Sequence, residues 1–244
     1  PPSAVGHEYA VIDQMLAFID RRMLQMKDAV REKQIAELLA GRRTAAGLEG
    51  MPALPLECRY AAVYLTAKPE HAEALERAAE QTAEWNAEWI GLSSTEMALL
   101  VFIPADCTPS SAVLAALGKL GAAAEGVVFG AGVGTVVDSA DEIPISFANA
   151  KEAHRFTFVF GRNAVIAYDD IAERREGFRM PHIDCEPFLL KIQSGDADGA
   201  KAWLDETADR LRREPLAVET VELCCLRIGT ELSQVMIEQK LQDA

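Results

Sequence analysis

Apolar positions in residues 8–40 step alternately by four and three, through Ile12, Leu16, Ile19, Met23, Met26 and Val30. A seam kept over about three heptads is the pattern of a coiled-coil helix. The pattern then shifts to Ile35, Leu38 and Leu39, and Gly41 is the expected stop. Residues 44–57, "TAAGLEGMPALPLE", are rich in Gly and Pro and read as a linker. Beyond it the periodicity alternates between two and near four. A strand is predicted over 58–67, a helix over 69–83, a hairpin over 85–103 and a helix over 110–121. A strand over 126–134, a helix over 145–161 with Ser146 as its cap, and a strand over 163–170 complete the series. The order β-α-β-β-α-β-α-β predicts one α/β (α+β layered) domain over 58–172, a single sheet with helices on it.

From 173 to 244 the strand signals stop. A helical hairpin turns at Ser194-Gly195, with Asp196 as cap, and a long helix follows Pro215. Its apolar positions, among them Val218, Val221, Leu223, Leu226, Leu232, Val235 and Met236, spread too widely for one seam. They predict packing on more than one side.

Composition narrows the function. The balance of 24 basic against 38 acidic residues, a net charge of −14, argues against a phosphate-neutralising surface on this segment. No apolar run reaches the length of about 18 residues that spans a bilayer, and the N-terminus lacks the pattern of a signal peptide. Five cysteines without CxxC spacing suit a reducing, cytoplasmic setting, and Cys224-Cys225 read as buried small hydrophobes. Four histidines are scattered, none at metal-ligand spacing, so no metal or cofactor site is expected. "GAGVG" at 130–134 runs into a loop rather than a helix, which favours strand-end glycines over a phosphate loop.

The hairpin "WIGLSSTEMALLVFIP" carries the first resemblance. Its tip, Ser93-Ser94-Thr95-Glu96-Met97, stands where the GGDEF domain of diguanylate cyclases has Gly-Gly-Asp-Glu-Phe. "VVFGAGVG" and "FGRNAVIAYDD" resemble later strands of the same family over about residues 58–170. The resemblance implies a site built on carboxylates from the first strand and the hairpin tip, which hold divalent cations. Here the first strand ends in Leu65, Thr66 and Ala67, and of the tip acids only Glu96 remains. The expectation is a degenerate copy with no catalytic residues.

The segment "GAGVGTVVDSADEIPISFANAKEAHRFTFVFGRNAVIAYDDI" resembles the central region of AraC-type regulators, including YesN-type response regulators. "EKQIAELLAGR" and "LLKIQSGDADGAKAWLDETADRL" are similar to the helices flanking that region. The resemblance implies two-component signalling through a homodimer, with a DNA-binding helix-turn-helix domain and an upstream receiver or membrane sensor lying outside this sequence. DNA contact would then belong to the parent protein alone. The expected function is a non-catalytic regulatory and dimerisation module, the seam Ile12 to Val30 joining two copies. The alternative is a sensing domain that keeps a nucleotide or sugar in the former cyclase cleft.

Overall fold

The computed structural model describes residues 22, 26, 29–47, 54, 55, 57–79, 86–124, 127–175 and 179–242. Five strands form one mixed sheet in the order β2-β3-β1-β4-β5: β1 Cys58–Ala67, β2 Ala87–Gly91, β3 Glu96–Pro104, β4 Phe129–Val133 and β5 Val165–Ala167. β1 lies antiparallel to β3 on one side and to β4 on the other, β2 closes the hairpin with β3, and β4 runs parallel to β5. The element order is the expected one. The last strand is shorter than 163–170, because Asp169–Ile171 turns into a 3-10 helix once three residues have paired with β4.

Alternation along the strands separates two cores. Ala61, Val63 and Leu65 of β1 join Met97, Leu99, Val101 and Ile103 of β3 under α2 (Pro69–Ala79) and α3 (Pro109–Ala123). Tyr60, Ala62 and Tyr64 point the other way, with Ile90, Ala98 and Leu100, under α4 (Ile143–Arg155) and the helical residues 29–39, here α1. Ile35, Leu38 and Leu39 of α1 are fully buried there, each worth about 1.5–3 kcal/mol of apolar burial. Leu54, in the Gly- and Pro-rich stretch, is buried in the same core.

Gly41 ends α1 as expected. Its φ is 68°, its N–H reaches the Leu38 carbonyl at 2.9 Å and that of Arg42 reaches the Glu37 carbonyl at 2.8 Å. This pair of bonds is the Schellman closure that glycine permits.

A third core joins the end of α4 and α5 (Thr157–Phe160) to the C-terminal helices α7 (Glu186–Gln193), α8 (Ala197–Arg213) and α9 (Val218–Gln242). Ala153, Phe156, Val159 and Ile166 meet Ile183, Leu211, Leu216, Val221 and Cys224 in it. The hairpin of α7 and α8 turns where predicted: Gly195 has φ 76° and the Asp196 carboxylate accepts from Gly199 N at 2.9 Å. A short α6 (Ala172–Arg175) connects β5 to this region.

Three expectations fail in detail. The helix predicted over 145–161 starts at Ile143 and breaks at Phe156. Ser146 therefore lies inside its first turn, and the cap belongs to the preceding 3-10 turn, where Ser139 and Glu142 form a capping box. Cys224 is buried but Cys225 is exposed, one residue being enough to rotate a helical side chain off the packed face. Finally, α9 packs on one side and leaves Leu223, Leu226, Met236 and Ile237 exposed. Among the described residues no helix is long and apolar enough to cross a membrane.

Candidate functional site

Gly130 and Gly132 of β4 and Gly134 just beyond its end set the geometry of the site. A Cβ on Gly132 would stand 2.1 Å from the Ala150 carbonyl oxygen and 2.4 Å from His154 N, and one on Gly134 would stand 1.9 Å from the Ser146 carbonyl oxygen. The α4 backbone thus rests directly on the strand, at a distance no side chain allows. The reading of these residues as strand glycines was right in kind, and their period of two was the signal that a helix presses on them.

Ser146 fastens this contact. It is fully buried; its Oγ accepts from Ala62 N at 2.9 Å and donates to the Thr135 carbonyl at 2.6 Å. The β1–β4 ladder begins at Val63, with Val133 opposite, so Ala62 N has passed the end of β4 and takes its acceptor from the helix instead.

Seated this low, α4 carries His154 across β4 to β1. Its Nε2 and the Thr66 Oγ1 share a hydrogen bond of 2.8 Å, and Thr66 pairs in register with both Glu96 and Gly130. Tyr64 meets the His154 ring edge-on at 5.0 Å and Phe147 at 6.0 Å. The Lys151 ammonium stands 5.4 Å from the centre of the Tyr64 ring and 4.8 Å from that of Phe147. Burial holds the His154 ring below the ordinary imidazole value, opposed by the Glu96 carboxylate. Burial also raises the Tyr64 hydroxyl, and the bond to Glu96 and its charge push the same way. Glu96 is exposed at the start of β3, and its charge acts on both rings.

The hairpin tip is closed by Ser93, whose Oγ accepts from Thr95 N at 3.3 Å and Glu96 N at 3.1 Å. Ser94 is exposed at the turn, and the Thr95 carbonyl accepts from Ala67 N at 3.1 Å, tying the tip to the end of β1. Met97 belongs to the opposite core and takes no part in the site. Of the seam, Ile12, Leu16, Ile19 and Met23 lie outside the described residues; Met26 and Val30 are 66% and 50% exposed. Sequence reasoning missed His154, whose partner lies 88 residues away in the chain.

The donor set can be matched against the divalent cations that cyclase chemistry requires. Hard cations take oxygen ligands, carboxylates first. Around Thr66 the protein offers one carboxylate, Glu96, a hydroxyl already bonded to His154, and the Lys151 cation beside Tyr64. These residues do not fit a pair of divalent ions. Among the described residues, no three His, Cys, Asp or Glu side chains converge as a metal site.

Beside Thr66 opens a cleft of about 380 Å³ that includes Lys68, Thr157, Phe158 and Arg162 in its walls. A larger groove of about 620 Å³ lies on the other sheet face between α3 and β5, apolar apart from Thr135, Asp169 and Asp170. It is remote from the hairpin tip.

Comparison with known families finds a GGDEF-like domain at residues 50–156, a little under half of the chain. The mixed five-stranded sheet with helices on both faces agrees with that family's α+β fold. No curated protein and no solved structure matches the chain.

Proposed function

We propose that this chain is a non-catalytic relay and dimerisation module of a bacterial AraC-type transcription regulator, built on a GGDEF-like domain. The observation that carries the relay is the position of α4. Ile143, Phe147 and Ala150 lie in the core that holds α1, whereas Ala153 lies in the core that holds α7 to α9. One rigid helix thus spans the segment that receives α1 and the segment that leaves the domain.

The incoming helix is held firmly. Arg31 grips the Glu88 carboxylate of β2 through two bonds of 2.5 and 2.9 Å, and Glu32 accepts from Gly91 N at 2.7 Å at the sheet edge. Met26 and Val30 stand away from this packed face and are exposed, as a seam to a second copy requires. A shift in how two α1 helices pair would bear on β2 and α4, and through α4 on the C-terminal helices; coupling needs such a two-state element. The donor set at Thr66 and Glu96, one carboxylate and a hydroxyl, suits the pair of cations of cyclase chemistry poorly and supports a non-catalytic role.

Sedimentation of the purified chain tests the dimer. A dimer at micromolar concentration, lost on Ile19→Glu with Met23→Glu, is the expected result, and a monomer at high micromolar concentration overturns it. Incubation with GTP and magnesium should yield no cyclic dinucleotide. The regulator context is tested by the parent reading frame, where a helix-turn-helix domain is expected.

One observation favours a second reading, a sensor of anionic ligands. The cleft beside Thr66 has two cations, Lys68 and Arg162, next to the exposed ring of Phe158, which suits a nucleotide. Calorimetric titration with GTP and with cyclic di-GMP decides it, and silence from both removes it.

A further inference from the structure

The helix α9 has two unlike sides that both repeat every seven residues. Val221, Ile228 and Val235 turn inward, the first and last buried and Ile228 partly so. On the opposite side Leu223, Leu226 and Ile237 are 42%, 67% and 59% exposed, with exposed Thr230 and Ser233 between them. Steps of three, four, three and four make these the a and d positions of consecutive heptads, and the inward residues then fall at f, directly opposite.

The middle of the outer stripe is quieter than its residue names suggest. Thr230 and Ser233 donate their hydroxyls back to the carbonyls of Leu226 and Gly229, at 2.9 and 2.7 Å. They present carbon outward. Gly229, at g, weakens a helix interior, and a Cβ there would meet nothing within 4 Å, so no contact within the chain calls for it.

We infer that this stripe is the seam of a parallel, in-register pair between α9 and α9 of a second copy of this chain. Charge selects both occupant and direction. Glu222 falls at g and Arg227 at e, and neither has an ion-pair partner among the described residues. In a parallel pair each g faces the e five residues further along the other helix, so Glu222 meets Arg227 of the second copy, twice by symmetry. An antiparallel pair sets g against g and e against e. Glu222 would then face Gly229, Met236 or itself, and Arg227 would face Gln234 or itself, with no attraction to gain. Gly229 at g lets the two backbones approach. The pairing gives the proposed dimer its output end and rests on that reading.

The test is sedimentation of the full chain with substitutions only at exposed positions, so that the monomer fold is kept, which circular dichroism verifies. Leu226→Glu with Ile237→Glu should raise the dissociation constant at least tenfold. Arg227→Glu should weaken association, and adding Glu222→Lys should restore it. Ser233→Cys, with Cys107→Ser and Cys225→Ser, should form a disulfide-linked dimer under mild oxidation. Association unchanged by the two glutamates, or no cross-link at position 233, overturns the α9 seam while leaving a dimer through Ile12 to Val30 in place. A chain that stays monomeric throughout overturns both.

Discussion

The two faces of the sheet are made from neighbouring residues of the same strands, yet they are built by different rules. Under α2 and α3, Val63, Leu65, Leu99, Val101 and Ile103 form an aliphatic layer that keeps the helices a side chain away. Under α4, β4 offers glycine at each alternate position, and a buried serine bonds the helix to the strand. The aliphatic face tolerates change in volume by small adjustments, because many side chains share it. The glycine face has no slack, and it alone carries Tyr64, Thr66, Glu96 and His154 as well as the docking surface for α1. A domain that passes on mechanical change is served by one stiff face of this kind.

The sharpest way to break this contrast is one substitution made on both faces. Gly134→Ala drives a methyl to within 1.9 Å of the Ser146 carbonyl oxygen, so α4 must lift from the sheet. The expected loss is more than about 4 kcal/mol, or failure to fold, read from urea unfolding or soluble yield. Gly118→Ala, on exposed ground in α3 with nothing within 4 Å, should instead stabilise by about 0.5–1 kcal/mol through helix propensity. Similar effects at the two sites would mean that α4 is not seated as described.

Ser146→Ala removes a single oxygen from the stiff face. It strands the buried Ala62 N–H and the Thr135 carbonyl, and unmade buried hydrogen bonds of this kind cost about 2–3 kcal/mol together. The loss should appear as a shift of the urea midpoint with unchanged slope. Were Ser146 a solvent-facing cap, the expected cost would fall to about 1 kcal/mol.

That serine marks the boundary of what the sequence discloses. β1, Cys58–Ala67, was legible residue for residue, because its alternation and its Pro-rich flank are local signals. The hairpin, the crossover helices and the Asp196 cap were legible for the same reason. The start of α4 was misread because a serine ahead of an apolar run looks like a cap. The competing signal, Ser139 with Glu142 three residues on and Pro144 just after, was present in the chain. The bond between Thr66 and His154 was not legible, since it depends on Gly132 and Gly134 letting a helix rest on a strand, with Gly130 leaving room beside the ring. A tertiary distance of that sort has no local pattern in one sequence.

The smallest expected effect concerns the polar cluster that the stiff face encloses. His154 is held below its ordinary value of 6.5, chiefly by burial, so the folded protein takes up this proton at lower pH than the unfolded chain does. Between the two values the unfolded state binds more protons, and stability rises with pH. The contribution of His154 is therefore complete above pH 6.5 and is lost as pH falls through the folded value. The groups that act on the ring are Glu96 from β3 and Tyr64 and Thr66 from β1, with the Lys151 ammonium of α4 lying over Tyr64. Glu96 works against the shift, so Glu96→Gln should depress the ring further and steepen the acid loss. His154→Gln, which keeps a hydrogen-bonding group for Thr66, should flatten the dependence of the urea midpoint over the same window. Carboxylates such as Glu219, held low by its hydrogen bonds to backbone and to Arg155, lose their contribution only in more acid solution and leave the window clear. Equal slopes in the wild type and both variants would place His154 in water rather than against the sheet, and with it the end of α4.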